Sequence, residues 1–80
     1  MKAKVYITLK KGVLDPQGRA IKNALSNLEF SGVDEVRQGK FIEVALKETD
    51  RRKAEESVKQ MCEKLLANTV IEDYRFELQD

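Results

Sequence analysis

The chain has 80 residues, of which 41% are hydrophobic and 36% are charged, and its 15 basic and 14 acidic residues leave a net charge of +1. This composition predicts one small globular domain over residues 1–80 with a thin core, and it excludes a disordered or membrane-spanning chain. The chain has no histidine, the commonest side chain for proton transfer and metal binding, which disfavours catalysis by this chain alone.

The first predicted element is a strand over residues 2–10, in which apolar and polar residues alternate. Its two faces carry Ala3, Val5, Ile7 and Leu9 on one side and Lys2, Lys4, Tyr6, Thr8 and Lys10 on the other. A turn at Gly12 follows, and Asp15 before Pro16 predicts the start of a helix that runs to about Leu28. Its apolar stripe consists of Ala20, Ile21, Ala24, Leu25 and Leu28.

The middle of the chain predicts a hairpin. A second extended segment runs from Val33 to about Arg37, a tight turn lies at Gln38-Gly39, and the next strand covers residues 41–47. A single long strand kinked at Gly39 is the alternative, which the sequence leaves open.

The second predicted helix begins at Thr49 or Asp50 and ends near Ala67, with Asn68 as a left-handed cap. Its inward-facing residues are predicted to be Ala54, Val58, Met61, Cys62, Leu65 and also Leu66. The last strand covers residues 70–79. Cys62 lies on the apolar stripe without a second cysteine or a histidine, so we expect an inert core thiol.

The predicted order is strand, helix, strand, strand, helix, strand. This order predicts an α+β two-layer sandwich of ferredoxin-like βαββαβ topology, with an antiparallel sheet and both helices on one face. The open face would present Tyr6, Thr8, Phe41 and Ala45. A partly apolar open face on so small a domain favours pairing with a second copy, and these four residues are the predicted dimer face.

Two basic groups are candidate partner-facing sites. Lys10, Lys11 and Gly12 precede a helix start, where an anion or another subunit could bind, although a solvated turn is the simpler interpretation and the P-loop pattern is missing. Arg51, Arg52 and Lys53 lie in the first turn of the second helix, where the helix dipole prefers acidic residues. An acidic partner is one explanation for this run and a solvated face is the other.

The same strand and helix order occurs in RNA-recognition domains. Gly39-Lys40-Phe41 resembles their base-stacking motif only weakly, and Ile42-Glu43-Val44 does not continue it. We therefore expect no nucleic-acid partner. The amino-terminal residues lack the apolar segment of a signal peptide, and we expect a cytoplasmic protein with no membrane contact.

Three segments resemble the PurS family, the small subunit of phosphoribosylformylglycinamidine synthase. The most specific is Lys11-Gly12-Val13-Leu14-Asp15-Pro16-Gln17-Gly18, followed by Glu63-Lys64-Leu65-Leu66-Ala67-Asn68 and Val70-Ile71-Glu72-Asp73-Tyr74. Two positions depart from the family pattern. Thr69 stands where proline is usual, and the second helix opens with basic residues where acidic ones are common.

This resemblance implies a subunit of a ligase complex in purine biosynthesis that converts formylglycinamide ribonucleotide, glutamine and ATP to the amidine, glutamate, ADP and phosphate. It implies a noncatalytic homodimer, with a tetramer left open, that bridges a glutaminase subunit and a large synthetase subunit and assists ammonia transfer. ATP and magnesium would be used by the large subunit, with no cofactor, metal or catalytic residue in this chain. The alternative hypothesis is a ferredoxin-like regulatory module that binds a small ligand.

Overall fold

The fold is a three-stranded antiparallel sheet with two helices. A computed structural model describes residues 1–80. Its elements are β1 (Lys2–Leu9), α1 (Pro16–Asn27), β2 (Gly39–Ala45), α2 (Arg51–Met61) and β3 (Glu72–Gln79). The strand order is β2-β1-β3, so β1 is the central strand. The predicted α+β class with an antiparallel sheet and two helices is confirmed. Neither helix has the length and apolar character needed to cross a bilayer.

The core lies on one face of β1, which we call the inner face. Ala3, Val5 and Ile7 are buried there. Val58 and Cys62 from the α2 side complete the centre of the core. The strand register places β2 and β3 residues beside them: Val44 and Leu78 opposite Ala3, Ile42 and Phe76 opposite Val5, and Lys40 and Tyr74 opposite Ile7. The period-2 pattern of β1 thus fixes which side chains of all three strands face inward.

The predicted hairpin is wrong, because residues 33–38 form no strand and β2 begins at Gly39. The kinked single strand is also wrong. The Gln38 N–H donates to Asp15 Oδ2 at the start of α1, at 2.9 Å, and not to a neighbouring strand. The observed order is therefore β-α-β-α-β, with three strands where four were predicted.

A π-helical turn over Cys62–Leu66 extends α2 and corrects the predicted inner face. The Ala67 N–H donates to the Cys62 carbonyl oxygen, five residues earlier, at 2.9 Å. The wider turn rotates the following residues, so Leu65 is 82% exposed whereas Ala67 is buried. The prediction that Leu65 faces inward is wrong because it assumed a regular helical period.

Asn68 organises a turn and is not a left-handed cap. Its carbonyl oxygen accepts from the Ile71 and Glu72 amides, and its side-chain oxygen accepts from the Val70 amide at 3.2 Å. These bonds keep Val70 and Ile71 out of the sheet, so β3 starts at Glu72 and not at residue 70.

The first helix begins where the sequence predicts, with Asp15 as N-cap and Pro16 as the first helical residue. It ends in a left-handed residue, Glu29, with φ of 69°. The Phe30 amide donates to the Leu25 carbonyl and the Glu29 amide to the Ser26 carbonyl, each at 3.0 Å. This pair of bonds is a Schellman motif, built here on glutamate where glycine is commoner.

The helix α1 does not cover the sheet. Apart from the buried Gly18 and the half-buried Leu25, its residues are exposed. The molecule measures 49 × 26 × 14 Å and its radius of gyration is 16.0 Å, against about 12 Å for a compact domain of this length. The expectation that both helices lie on the inner face is met by α2 alone. Residues 14–38 form a projection that we call the arm.

Gly18 fixes the base of the arm. A Cβ at this position would lie 2.3 Å from the Val36 carbonyl oxygen and 2.6 Å from Asp15 Oδ2. Both are atoms whose positions are set by the backbone and by hydrogen bonds, so neither can move freely. Residues 33–38, which lead back to β2, are called the return segment. The start of α1 and the return segment touch only because residue 18 has no side chain.

We predict that Gly18→Ala lowers the free energy of unfolding by about 1–3 kcal/mol, the range for overpacking. In an open helix the same change would stabilise by about 1 kcal/mol, so the sign of the effect is diagnostic. Asn23→Ala, at an exposed position of α1, is the control and should stabilise slightly. Urea unfolding at one protein concentration measures both, and a more stable Gly18→Ala variant would contradict the close contact.

Candidate functional site

The two predicted partner-facing groups lie at opposite ends of the sheet. Lys10 follows the last residue of β1. Arg51 donates through Nη2 to the Leu78 carbonyl oxygen at 3.1 Å, and Leu78 is paired with Ala3 near the start of β1. The length of β1 separates the two groups by about 25 Å. They form two separate surfaces and not one site.

The turn at Lys10, Lys11 and Gly12 is held by the backbone around it. The Lys10 amide donates to the Ile71 carbonyl at 2.9 Å. The Arg37 guanidinium donates to the carbonyl oxygens of Leu9 and Lys10, the latter at 3.0 Å. Gly12 has φ of 87°, a left-handed conformation that favours glycine. The turn therefore presents its lysine side chains from a fixed backbone.

Exposed apolar residues lie beside this turn and in the nearby π-helical turn, and sequence reasoning missed them. Val70 is 80% exposed and Ile71 40% exposed, and Leu65 of the neighbouring π-helical turn is 82% exposed. The sequence placed Val70 and Ile71 in a strand and Leu65 in the core, so no pattern identified them as a surface. The Ile71 carbonyl oxygen accepts from the Lys10 amide, so Val70 and Ile71 adjoin Lys10 and Lys11. These four residues form what we call the turn surface, which combines apolar area and positive charge.

Asp15 occupies the amino-terminal end of α1 with its carboxylate. Oδ1 accepts from the Gly18 amide at 2.9 Å, and Oδ2 accepts from the Gln38 amide at 2.9 Å. The bond from Gly18, followed by the bond from Gln38, lowers the pKa of Asp15 below its usual range. A carboxylate already fills the place that a phosphate would take, so this helix start does not favour the anion-binding interpretation.

An open cavity of about 410 Å³ lies next to the turn, at the base of the arm. Its charged lining residues are of both signs: Asp15, Asp34 and Glu35 against Arg19, Lys22 and Arg37. Such a balanced lining gives no preference for a charged small ligand of either sign.

The basic run at the other end of the sheet is partly explained by contacts within the chain. Arg51 lies 3.9 Å from a carboxylate oxygen of Glu55 and 3.9 Å from one of Asp80, in addition to its bond to β3. The Arg52 and Lys53 amides donate to the Asp50 carboxylate, which caps α2. Arg51 therefore holds α2 to the end of β3, and the exposed Arg52 is the more available of the two predicted contact residues.

The predicted dimer face exists as one surface of the sheet, which we call the outer face. The register aligns Phe41, Tyr6 and Arg75 in a row across the three strands. The Tyr6 and Phe41 ring centroids are 5.1 Å apart, and the Arg75 guanidinium carbon lies 4.0 Å from the centre of the Tyr6 ring. Thr8 and Ala45 also point to this side. The four residues share a face as predicted, and their role in pairing stays a prediction.

The Cys62 thiol and the Tyr74 hydroxyl are held in their protonated forms. Burial, and secondarily the charge of Glu63, raises the pKa of the Cys62 thiol. The Tyr74 hydroxyl donates to Glu63 Oε2 at 2.8 Å, and this bond raises the pKa of Tyr74 to about 12. The thiol is fully buried, as predicted for a core cysteine. Neither group is arranged as a nucleophile at neutral pH.

Comparison with known proteins gives one consistent result. Residues 2–80 match the PurS family model, described as phosphoribosylformylglycinamidine (FGAM) synthase. The PurS subunit of phosphoribosylformylglycinamidine synthase from Bacillus subtilis is 52% identical over 79 residues, which are 99% of this chain and 93% of the relative.

Solved structures agree over nearly the whole chain. Methanocaldococcus jannaschii PurS, one of the subunits of formylglycinamide ribonucleotide amidotransferase, has a TM-score of 0.87 at 48% identity and covers 99% of this chain and 95% of its own. A chain in the structure of PurLQS from Thermotoga maritima has a TM-score of 0.86 at 33% identity, with 95% and 93% covered.

The Asp15 contacts predict an acid-sensitive arm. Since the folded-state pKa is lowered, the carboxylate stabilises the fold above the ordinary aspartate range, and this contribution is lost as the pH falls through the folded-state value. Asp15→Asn keeps one acceptor oxygen but loses the other bond, so its urea midpoint should fall below that of the parent at neutral pH and approach it in acid.

Asp50→Asn is the matched control, because Asp50 caps α2 through one oxygen that accepts both amides. An asparagine can retain those bonds. A smaller fall in the urea midpoint at neutral pH for Asp15→Asn than for Asp50→Asn would contradict the contact of Asp15 with both the Gly18 and the Gln38 amides.

Proposed function

This chain belongs to the PurS family of phosphoribosylformylglycinamidine synthase subunits in purine biosynthesis, and from this we propose that it is a noncatalytic assembly subunit. In this role it bridges the glutaminase subunit and the large synthetase subunit. The observation that carries the proposal is that the two candidate surfaces, the turn surface and Arg52, lie at opposite ends of β1. A small rigid sheet with a docking surface at each end suits a bridge.

The absence of an arranged catalytic group supports the noncatalytic role. The chain has no histidine, its cysteine is fully buried, and the amino-terminal end of α1 is filled by the Asp15 carboxylate. In this proposal ATP and magnesium act in the large subunit, and the complex is cytoplasmic. The ligand-binding alternative is disfavoured by an open cavity lined by charges of both signs.

We also propose that the chain acts as a homodimer, and that the assembled complex uses it in passing ammonia from the glutaminase to the synthetase. The support for self-association is the small core: only eight of the 80 residues are buried. A chain of this size with exposed apolar surface gains stability from a partner.

Reconstitution tests the proposal. The two larger subunits are assayed for glutamine-dependent formation of the amidine with and without this chain, and the activity should collapse without it. Ammonium supplied in place of glutamine is the control, and the large subunit should then retain synthesis without the chain. Equal glutamine-dependent activity in both mixtures, or turnover of glutamine or ATP by the isolated chain, would contradict a noncatalytic bridge.

The turn surface is tested by reversing its charge. We predict that Lys10→Glu with Lys11→Glu weakens assembly with the larger subunits by about tenfold or more, equal to about 1.4 kcal/mol. The fold should be unaffected, because the backbone and not the ammonium groups holds the turn. Analytical ultracentrifugation measures assembly and circular dichroism checks the fold.

Lys47→Glu with Lys59→Glu makes the same change in net charge at exposed positions away from the turn. This control should assemble as the parent does. Equal weakening by both pairs would show a general effect of charge and would remove the turn surface from the proposed contact.

A further inference from the structure

The π-helical turn at the end of α2 turns a leucine outward. In a regular helix Leu65 would follow the fully buried Val58 by seven residues and the fully buried Cys62 by three, and would share their stripe. The observed turn instead buries Ala67 and leaves Leu65 82% exposed. π-helical turns are rare and occur frequently at functional sites. The backbone thus gives up the burial of a leucine at this point and presents it to solvent.

Leu65 projects from a backbone that is held on both sides of it. The Tyr74 hydroxyl of β3 donates to Glu63 Oε2 at 2.8 Å. The Asn68 amide donates to Glu72 Oε1, at the start of β3, at 2.7 Å. An apolar side chain on a rigid support loses little conformational entropy when a partner covers it, and this is a property of anchor residues at interfaces.

The turn surface adjoins this leucine along the chain. Asn68 lies three residues after Leu65, and it accepts from the Val70 amide through its side chain and from the Ile71 amide through its carbonyl oxygen. The Ile71 carbonyl in turn accepts from the Lys10 amide. Three exposed apolar side chains therefore lie at one end of the sheet, contributed by the π-helical turn and by the turn that follows it.

The carboxylates at this end of the sheet are engaged within the chain or face elsewhere. Glu63 accepts the hydroxyl bond from β3. Glu72 Oε2 lies 3.3 Å from the Lys40 ammonium nitrogen. Asp73 is paired with Thr8 and points with it to the outer face. The apolar residues of this end therefore have no free carboxylate beside them on the chain.

The lysines of the same end have no carboxylate partner within the chain: Lys10, Lys11 and Lys64. Apolar area flanked by unpaired ammonium groups fits a surface of opposite charge around an apolar hollow. A second copy of this chain does not fit here. A two-fold contact places a surface against itself, so the three lysines would face their own copies.

We propose that Leu65 is the anchor through which the turn surface binds a larger subunit of the synthase, in an apolar hollow of that subunit rimmed by carboxylates. The π-helical turn exposes the residue that the hollow takes up, and the three lysines orient the contact and speed association. This inference rests on the bridging function proposed above, and it assigns an anchor residue and a partner chemistry to one of the two contacts.

A binding titration tests the anchor. The labelled chain is titrated with an equimolar mixture of the glutaminase and synthetase subunits in the presence of glutamine and ATP, and the bound fraction is measured by sedimentation. We expect Leu65→Ser to weaken binding by about tenfold or more, and Leu65→Met, which keeps an apolar side chain of similar volume, to change it less than about threefold. Gln60→Ala, at an exposed position of α2, is the matched control and should bind as the parent does.

A second pair of variants tests the charge of the rim. Lys64→Glu should weaken binding, and its difference from the parent should narrow at high salt because the attraction is screened. Lys59→Glu makes the same change in net charge at an exposed position of α2 and should have no such effect. Equal affinities of Lys64→Glu and the parent at low salt would overturn the carboxylate rim.

The outcomes separate the anchor from the bridging function. A folded Leu65→Ser variant, checked by circular dichroism, that binds as the parent does overturns the anchor and leaves the bridge in place. A parent chain that does not bind the mixture overturns both. Sedimentation of the chain alone should be the same for Leu65→Ser and the parent, and weaker self-association of the variant would assign Leu65 to a contact between copies and overturn the proposal.

Discussion

The contact between Gly18 and the Val36 carbonyl governs the shape of this protein. Because residue 18 has no side chain, the return segment lies directly against the start of α1, and Asp15 holds the two together through both carboxylate oxygens. The segment that would otherwise pair as a fourth strand is used in this contact. One local constraint thus explains the three-stranded sheet and the projecting arm.

This geometry agrees with a protein that works in an assembly. A single chain buries eight residues, and a small domain gains much of its stability from the surfaces it shares. The surfaces are distributed around the molecule: the arm, the turn surface with Val70 and Ile71, the outer face with Tyr6 and Phe41, and Arg52 at the far end. Such a distribution suits a subunit that contacts several others, as the proposed bridging role requires.

Elements specified by local chemistry could be predicted from the sequence. The alternation in β1 predicts its buried face, Asp15 and Pro16 predict the start of α1, and Asp50 caps α2 as one of two candidates. The fourth strand and the covering of the sheet by α1, which depend on contacts between residues distant in sequence, were predicted wrongly. An apolar stripe has the same residue pattern whether it packs on the sheet of its own chain or on another chain. Nothing in the local pattern indicates that the return segment binds the start of α1.

The most direct measurement is amide hydrogen exchange of α1, followed by mass spectrometry in the parent chain and in Ile21→Asp. The account predicts protection of residues 16–27 in the parent, because the apolar stripe of this helix would be covered in the proposed homodimer, and its loss in the variant while β1 stays protected. Equal protection of α1 in both proteins would contradict the account, since the helix would then be stable without its apolar contact.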